Sequence, residues 1–341
     1  MLRFLVAVLL LTPISGLPLA QTLDIYFIDV EGGAATLIVT PERESVLVDS
    51  GWRRVDGRDA KRIHRLATEQ AGIAQIDYLI TTHYHRDHYG GVGLLSRMLP
   101  IQNFLDHGPA NSLKEDREFQ FYYTEYVRAS RGQRQRIRPG DIVPLKQGRI
   151  PLTLLCLASR GEVIKEEGSR NPECEKLQLH KDDPSDNARS VCLLLRFGNF
   201  QFLDCGDLTW NVESELVCPT DRIGSIDAYQ VTHHGLSSSN NDVLLQTVRP
   251  STAIINNGPH KGPAPEVMET LRSLPTLQDI FQLHLNLKTD AEENTETELI
   301  ANLEPEEQCG GHWVHLSVRS DAGNFTVTNS RNGIIRSYAV K

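Results

Sequence analysis

Short runs of alternating apolar and polar residues mark the beginning of the folded chain. The alternation over 23–30, with further runs at 35–39 and 45–49, predicts three strands joined by tight turns. Helical spacing over 61–71 leads into another strand-like run at 77–82. Strand, helix and strand in this order indicate an α/β fold.

The same kinds of pattern continue to the end of the chain. They predict strands near 104–108, 152–157, 191–197, 200–205, 226–232, 251–256 and 280–284, helices at 92–98 and 266–274, and a terminal hairpin at 313–318 and 324–328. Between 159 and 185 the chain is charged and lacks periodicity, which predicts its longest loop.

A further helix is predicted where Ser112-Leu-Lys-Glu115 has the form of a capping box, and it would run to about Ser130. This segment is rich in aromatic residues, and arginines follow it. Arginines beside aromatic rings can bind phosphates and stack on bases, so one interpretation is a lid over a substrate. The other, more common one is a core-facing stripe with a solvated end.

The first twenty residues differ from the rest. Arg3 precedes an apolar run at 4–11, and Ala20 is a small residue suited to cleavage before Gln21, so we predict a secretory signal peptide over 1–20. The apolar run is shorter than a helix that spans a bilayer. We therefore expect an exported protein, periplasmic or secreted, with no membrane span once the signal is removed.

The six cysteines of the chain are compatible with disulfides in such a protein. Cys192 and Cys205 face each other if Gly198-Asn199 forms a two-residue hairpin turn. They are then either a cross-strand disulfide or two small core residues, and the second interpretation is favoured. The other four cysteines cannot be paired from the sequence.

The most informative chemistry follows the strand at 77–82, where ligand-type side chains cluster at His83, His85, Asp87 and His88. In an extended loop residues i and i+2 point the same way, so His83 and His85 can hold one cation from one side. Asp87 and His88 follow as the chain turns and can face a second cation, and paired cations activate water. A solvated histidine-rich loop is the alternative, but four ligands in this spacing are more typical of a metal site.

Three further groups lie beside predicted strands in the second half of the chain: Asn187, Asp207 and the pair His233-His234. The ends of the strands in an open α/β architecture meet on one edge, where ligands bind. A carboxylate between two cations holds them together, and Asp207 is suited to that place.

These motifs, in this order, resemble the signature of the metallo-β-lactamase superfamily and especially its ComEC/Rec2-like branch: His83-x-His85-x-Asp87-His88, Asn187-x-x-Ser190, Gly206-Asp207 and His233-His234-Gly235. The resemblance implies an α/β fold of the αββα sandwich type, in which two mixed β-sheets pack face to face with outer helices. It makes 21–341 a hydrolase domain, in which 286–341 would be a C-terminal extension ending in a β-hairpin.

The resemblance also implies two divalent cations. Their ligands would be His83, His85 and Asn187 for the first cation, and Asp87, His88, Asp207 and His233 for the second, with Asp207 as the bridge. The amide of Asn187 is a harder ligand than imidazole and favours manganese, whereas His85 stands where many ComEC domains have aspartate and favours zinc. Zinc is the expected metal, with manganese as the alternative.

The catalytic candidates are Asp87, His234 and His260. His234 would stabilise the developing charge or protonate the leaving group, although His233 and His234 could exchange roles because adjacent side chains diverge. ComEC relatives often have a His-Pro pair where this chain has Gly262-Pro263. His260 and Lys261 are therefore candidates for contacting the substrate, with a solvated loop as the alternative.

The expected reaction is hydrolysis by a metal-bridging hydroxide. The resemblance implies phosphodiester or phosphate-ester substrates, including single-stranded nucleic acid, while a formal net charge of −9 disfavours capture of long nucleic acid by a broad basic surface. We expect a small or locally engaged phosphorylated substrate, and no segment indicates a protein partner. The alternatives are a β-lactam or lactone hydrolase and a secreted, non-catalytic metal-binding module.

Overall fold

Two β-sheets packed face to face form the centre of the protein, as seen in a computed structural model that describes residues 22–165, 168–305 and 308–341. The first sheet has the strand order β19-β18-β17-β1-β2-β3-β4-β5-β6. Its strands are β1 (Leu23–Phe27), β2 (Thr36–Val39), β3 (Ser45–Val48), β4 (Ile76–Thr81), β5 (Ile101–Asp106), β6 (Arg134–Arg136), β17 (Val314–Val318), β18 (Asn324–Asn329) and β19 (Ile335–Ala339).

The second sheet has the strand order β16-β15-β14-β13-β11-β10-β7-β8, and a small sheet pairs β12 with β9. Its strands and those of the small sheet are β7 (Leu152–Ser159), β8 (Glu162–Val163), β9 (Ser169–Arg170), β10 (Cys192–Phe197), β11 (Phe200–Asp204), β12 (Thr220–Asp221), β13 (Ala228–Gln230), β14 (Thr252–Ile255), β15 (Asp279–His284) and β16 (Ile300–Asn302). In both large sheets parallel and antiparallel pairs occur, so both are mixed.

The helices lie on the outer faces of the two sheets. They are α1 (Arg58–Arg65), α2 (Arg86–Tyr89), α3 (Val92–Met98), α4 (Phe119–Ser130), α5 (Trp210–Val217), α6 (Asp242–Val248) and α7 (Pro265–Ser273). Helices α1, α3 and α4 share a core with the first sheet, and α5, α6 and α7 share one with the second. The predicted αββα sandwich is confirmed.

The alternation of buried residues explains the layering. In β10, Leu193 and Leu195 face the core between the sheets, whereas Leu194 faces the core beneath the helices of the second sheet. Successive side chains of a strand point to opposite faces, so a strand covered on both sides is apolar throughout. This is why the run 191–197 lacks polar alternation.

Two sequence predictions about local structure differ from the fold. Helix α4 begins at Phe119, because residues 113–118 form turns in which Leu113 bridges to Asp116, so the predicted capping box at 112–115 does not start the helix. Cys192 and Cys205 form a disulfide rather than two separate core residues. A second disulfide joins Cys174 to Cys218, and Cys156 and Cys309 are free thiols.

The C-terminal part of the chain completes the first sheet. The predicted terminal hairpin is present as β17 and β18, and β19, which the sequence analysis did not assign, extends it. Strand β17 pairs with β1, so 286–341 contributes to the central core through residues such as Leu316 and Phe325. The predicted signal peptide over 1–20 lies outside the described residues. Within the described ranges, no helix has the length and apolar character to cross a membrane.

The core between the sheets provides the first testable prediction. Phe202 is buried between the sheets and meets the ring of Phe27 edge-on at 5.7 Å between centroids. Truncation to alanine leaves a cavity that the two sheets cannot close, so Phe202→Ala should lower the free energy of unfolding by about 3–5 kcal/mol in urea titrations. Phe121→Ala, at an exposed ring, should cost less than about 1 kcal/mol. Equal losses would contradict this account of the core.

Candidate metal centre

Hydrogen bonds from a side chain and from the backbone hold the loop after β4 in place. The carboxylate of Asp49, which follows β3, accepts hydrogen bonds from the backbone N–H of Thr82 at 2.8 Å and from its hydroxyl at 2.7 Å. The N–H of Ala34 donates to the carbonyl of Asp87 at 3.0 Å. A Cβ on the adjacent Gly33 would lie 2.4 Å from that same carbonyl, so only glycine allows this approach.

The structure brings four ligand-type side chains from distant parts of the chain together at the strand ends. Asp87, His88, Asp207 and His234 each present a ligand atom, and these atoms all lie within 4.8 Å of one another. Nε2 of His234 is 3.4 Å from Oδ2 of Asp87, and Nε2 of His88 is 3.2 Å from Oδ1 of Asp207. All four residues are buried, so their charges are shielded from water.

Asp207 faces histidines on both of its oxygens. Its Oδ1 faces His88, while its Oδ2 lies 3.4 Å from Nε2 of His233, 3.4 Å from Nε2 of His234 and 3.9 Å from Nε2 of His83. A carboxylate surrounded in this way can contact two cations at once. This is the position that the sequence analysis predicted for a bridge.

The structure separates the two adjacent histidines. The resemblance implied His233 in the group with Asp87 and His88 and left an exchange with His234 open, and in the structure the ring in that group is the ring of His234. Both residues have left-handed backbone angles, with φ of 56° and 55°, so the chain turns sharply between them. Nδ1 of His234 lies 3.0 Å from the carbonyl of Asn256, and Nδ1 of His233 lies 3.1 Å from the hydroxyl of Ser239, which fixes each ring.

The residues predicted for the first cation are less closely grouped. The rings of His83 and His85 are 4.7 Å apart, but Nε2 of His85 lies 3.4 Å from the Glu115 carboxylate at a partly exposed position. The amide Nδ2 of Asn187 lies 3.4 Å from Nε2 of His233. His233 therefore lies between Asn187 and Oδ2 of Asp207, and no contact of the described residues joins it to Asp87.

Three buried ligand-type atoms support a metal at this place. Among the residues that the structure describes, Nε2 of His83, Oδ1 of Asp207 and Oδ1 of Asn187 have no hydrogen-bond partner. Buried polar atoms are nearly always paired, and an orphaned one requires an explanation such as a bound ion. Imidazole, carboxylate and amide oxygen are all ligands for divalent cations, so the residues present fit the implied metal.

The carboxylates and histidines shift each other's protonation. Burial would raise the pKa of Asp207, but His234, His88 and His233 hold that pKa well below its usual range. Burial lowers the pKa of His88, but Asp207, Asp49 and Asp87 outweigh it and raise that pKa well above its usual value. A proton on His88 thus offsets the buried negative charge. Because a cation must displace this proton, metal binding should weaken as the pH falls.

Lys261 is a member of the site that sequence reasoning left undecided. Its ammonium group pairs with Oδ2 of Asp87, and Asp87 and Asp207 together raise the pKa of Lys261 although burial opposes them. His260, the catalytic candidate beside it, is exposed. Among the contacts of the described residues, none joins His260 to the four-residue cluster. The structure therefore brings Lys261 to the site and leaves His260 at its rim.

Residues behind the loop were largely missed from the sequence. Asp186 accepts a hydrogen bond from the N–H of Tyr84 at 2.8 Å and lies 3.0 Å from Nε2 of His107. This carboxylate ties the peptide between His83 and His85 to the segment that carries Asn187. Its position directly before Asn187 is a signal that could have been used.

Helix α4 does not have the form of a free lid. Phe119 and Tyr126 are buried in the core that the helix shares with the first sheet. The guanidinium group of Arg134, which follows the helix, lies over the ring of Tyr126 at 5.1 Å and pairs with Asp106 at 2.8 Å. The aromatic stripe of this helix is therefore mainly a packing face.

Asp49 provides a test of how the site is supported. Its Oδ2 lies 2.6 Å from Nδ1 of His88, which orients the ring with Nε2 toward Asp207. Loss of such an outer partner typically weakens metal binding by about 10–100-fold, and we expect Asp49→Asn to do so in metal titrations. Asp56→Asn, at an exposed carboxylate, serves as the control. Unchanged affinity in Asp49→Asn would contradict this role.

Glu213 provides a pH-dependent test. It is buried in α5, where it accepts a hydrogen bond from the N–H of Asn241 at 2.8 Å, close to the turn that carries His233. Burial raises the pKa of Glu213 to about 8, above its ordinary value of 4.5. The folded state therefore holds this proton more tightly than the unfolded state does, so its contribution to stability is lost as pH rises from about 4.5 to about 8.

Glu213→Gln keeps the shape of this side chain and cannot ionise. In urea unfolding of the metal-free protein, the variant should lose less stability than the wild type between these two pH values. Glu215→Gln, at an exposed position of the same helix, should follow the wild type. Parallel pH profiles for wild type and Glu213→Gln would show that the raised pKa is not expressed in the folded protein.

Comparison with known proteins relates part of the chain to a known superfamily. Residues 28–156 match the family model described as the metallo-beta-lactamase superfamily. The chain is 24% identical over 249 residues to ComE operon protein 3 of Bacillus subtilis, a match that covers 69% of this chain and 28% of that protein. It is 39% identical over 90 residues to Recombination protein 2 of Haemophilus influenzae, which covers 26% of this chain and 11% of that protein.

The chain thus spans less than a third of the length of either curated relative. Among solved structures, Igni18, a metallo hydrolase from Ignicoccus hospitalis, is similar with a TM-score of 0.42 and 12% identity, over 76% of this chain and 94% of that one. The family match covers β2 to β6 and the loop with His83, His85, Asp87 and His88. Residues 28–156 are therefore similar to the metallo-β-lactamase superfamily, the chain resembles ComE operon protein 3 over 249 residues, and its strand ends carry a potential metal site.

Proposed function

We propose that the protein hydrolyses phosphodiester or phosphate-ester bonds at a centre of two divalent cations. The observation that carries the proposal is the position of Asp207, whose Oδ1 lies 3.2 Å from Nε2 of His88 and whose Oδ2 lies 3.4 Å from Nε2 of both His233 and His234. Because His234 is equally close to Asp87, it groups with His88, whereas His233 and the more distant His83 form the second group. One buried carboxylate between two groups of imidazoles is the arrangement that holds a pair of cations.

The protein's own residues would perform distinct tasks around such a pair. Asp87, His88, Asp207 and His234 form the group that would hold one cation, and His83, His233 and Asn187 lie toward the other, with His85 nearby. When bound, two divalent cations lower the pKa of water and neutralise charge that develops on the oxygens of a phosphate. Zinc is the first choice because imidazoles predominate in both groups, and manganese is the alternative because of Asn187.

Lys261 favours an anionic substrate. Its side chain is 32% exposed, and its ammonium group lies beside Asp87 at the edge of the cluster. Lysine binds phosphate as a point charge, and three rotatable donors allow it to follow the substrate. We therefore assign Lys261, rather than His260, to contact with the substrate.

The relatives support nucleic acid as a substrate class. Recombination protein 2 bears a name that points to DNA, and the identity to it is 39% over 90 residues. The net charge of −9 argues against a broad basic surface, so the substrate would be engaged locally, at the metal centre. Export to the periplasm or the medium, which the segment 1–20 predicts, would place the activity outside the cytoplasm.

Two other functions are compatible with the same metal-binding residues. A β-lactam or lactone hydrolase would use the same cations on a carbonyl carbon, and a non-catalytic metal-binding module would bind metal without turnover. A panel of bis-p-nitrophenyl phosphate, p-nitrophenyl phosphate, single-stranded DNA, nitrocefin and a lactone separates these functions. Turnover of nitrocefin or the lactone without any phosphate ester would contradict the proposal.

Asp207→Ala is the decisive variant for this function. Because it removes the carboxylate between the two groups of histidines, it should reduce hydrolysis of bis-p-nitrophenyl phosphate by more than the roughly 10–100-fold cost of losing an outer partner. Bound metal, measured by mass spectrometry, should fall with it. Asp56→Ala should retain both properties, and full activity in Asp207→Ala would refute the two-cation centre.

A further inference from the structure

A second cluster of ligand-type side chains lies outside the centre described above. Asp29, Glu31, His284 and Cys309 each present a ligand atom, and these atoms all lie within 4.8 Å of one another. Asp29 and Glu31 follow β1 of the first sheet, His284 ends β15 of the second sheet, and Cys309 comes from the segment between β16 and β17. The cluster therefore connects both sheets with the C-terminal part of the chain.

The two distances from Cys309 in this cluster match those between the ligands of a tetrahedral ion. Sγ of Cys309 lies 3.2 Å from Oδ2 of Asp29 and 3.7 Å from Nε2 of His284, and that nitrogen lies 2.9 Å from Oδ1 of Asp29. Zinc bonds of about 2.0–2.3 Å in tetrahedral geometry separate neighbouring ligand atoms by roughly 3.2–3.8 Å. The contact between His284 and Asp29 is shorter than this range and would have to lengthen if both residues bound one ion.

Glu31 offers one oxygen to this cluster, and one of its two oxygens lacks a hydrogen bond within the described ranges. The side chain of Glu31 is fully buried, and among the described residues its Oε1 has no hydrogen-bond partner, although an Arg62 nitrogen lies 3.0 Å away. A buried carboxylate oxygen without a hydrogen bond is costly. A cation between Glu31 and Asp29 would satisfy it.

The charges around the cluster leave room for a cation. The carboxylates of Asp29, Glu31 and Asp59 face two guanidinium groups, those of Arg58 and Arg62, which leaves one negative charge. A divalent cation with a Cys309 thiolate adds one positive charge and neutralises it. A protonated His284 paired with Asp29 would balance the charge equally well without a metal. The experiment below distinguishes a bound cation from this ion pair.

We propose that Asp29, Glu31, His284 and Cys309 form a structural zinc site. One sulfur, one imidazole and two carboxylates make a closed set of four ligands, and the soft thiolate selects zinc over magnesium or calcium. The zinc fixes the turn from Asp29 to Gly33, whose glycines touch Lys261 and the backbone of Asp87. It therefore supports the catalytic centre from behind, without contact to the substrate.

Cobalt substitution tests this site separately from hydrolysis. The purified full-length protein is stripped of metal with a chelator and loaded with cobalt(II). Because the ligand-type residues around Asp207 include no cysteine, a sulfur-to-cobalt charge-transfer band in the near ultraviolet can arise only from Cys309 or from Cys156, the other free thiol. We expect the band in the wild type and in Cys156→Ser, and its loss in Cys309→Ser, together with one equivalent of bound zinc.

Absence of the band in the wild type, or its persistence in Cys309→Ser, would overturn the proposal. Circular dichroism checks that the variant is folded. If Cys309→Ser does not fold, alkylation of the wild type gives the same decision. Iodoacetamide should label Cys309 only after zinc is removed, and equal labelling of zinc-loaded and stripped protein would overturn the site.

Discussion

Two carboxylates, Asp87 and Asp207, are buried side by side at the strand ends, and the surrounding structure serves to offset their charge. Taking a carboxylate out of water costs several kcal/mol unless positive groups replace the lost hydration. Here His88, His234 and Lys261 surround the pair, and Asp49 holds His88 in place. The same negative charge makes this site suitable for divalent cations. The two buried carboxylates that cost folding energy are therefore also the groups that can bind metal.

The sequence predicted those features that depend on local pattern. Strand periodicity and the order of elements indicated an α/β fold, and the resemblance to the metallo-β-lactamase superfamily implied the αββα sandwich. The sandwich is confirmed, and the resemblance is confirmed by the match over residues 28–156. The spacing from His83 to His88 and the position of Asp207 after a strand led us to predict a shared site, and the structure places ligand atoms of Asp87, His88 and Asp207 within 4.8 Å of one another. Parallel strands end at one edge, so residues distant in the chain converge there.

The features that depend on side-chain direction or on distant packing could not be predicted. His233 and His234 are adjacent, and both have left-handed backbone angles that decide where their rings point. The spacing of residues in the sequence does not predict these ring directions. Lys261 reaches Asp87 because its loop packs on Gly32, a contact between the two sheets. The cluster of Asp29, His284 and Cys309 depends on both sheets and the C-terminal strands, so nothing local indicates it. The ligand roles of individual residues therefore stay predictions.

The central claim is that Asp207 lies between two cations. The most direct measurement is X-ray diffraction from crystals grown with zinc and, separately, manganese, with anomalous scattering recorded at each metal's absorption edge. The account predicts two anomalous peaks flanking the Asp207 carboxylate, one beside His88 and His234 and one beside His83 and His233. A single peak that does not touch Asp207, or no peak among these residues, would contradict it.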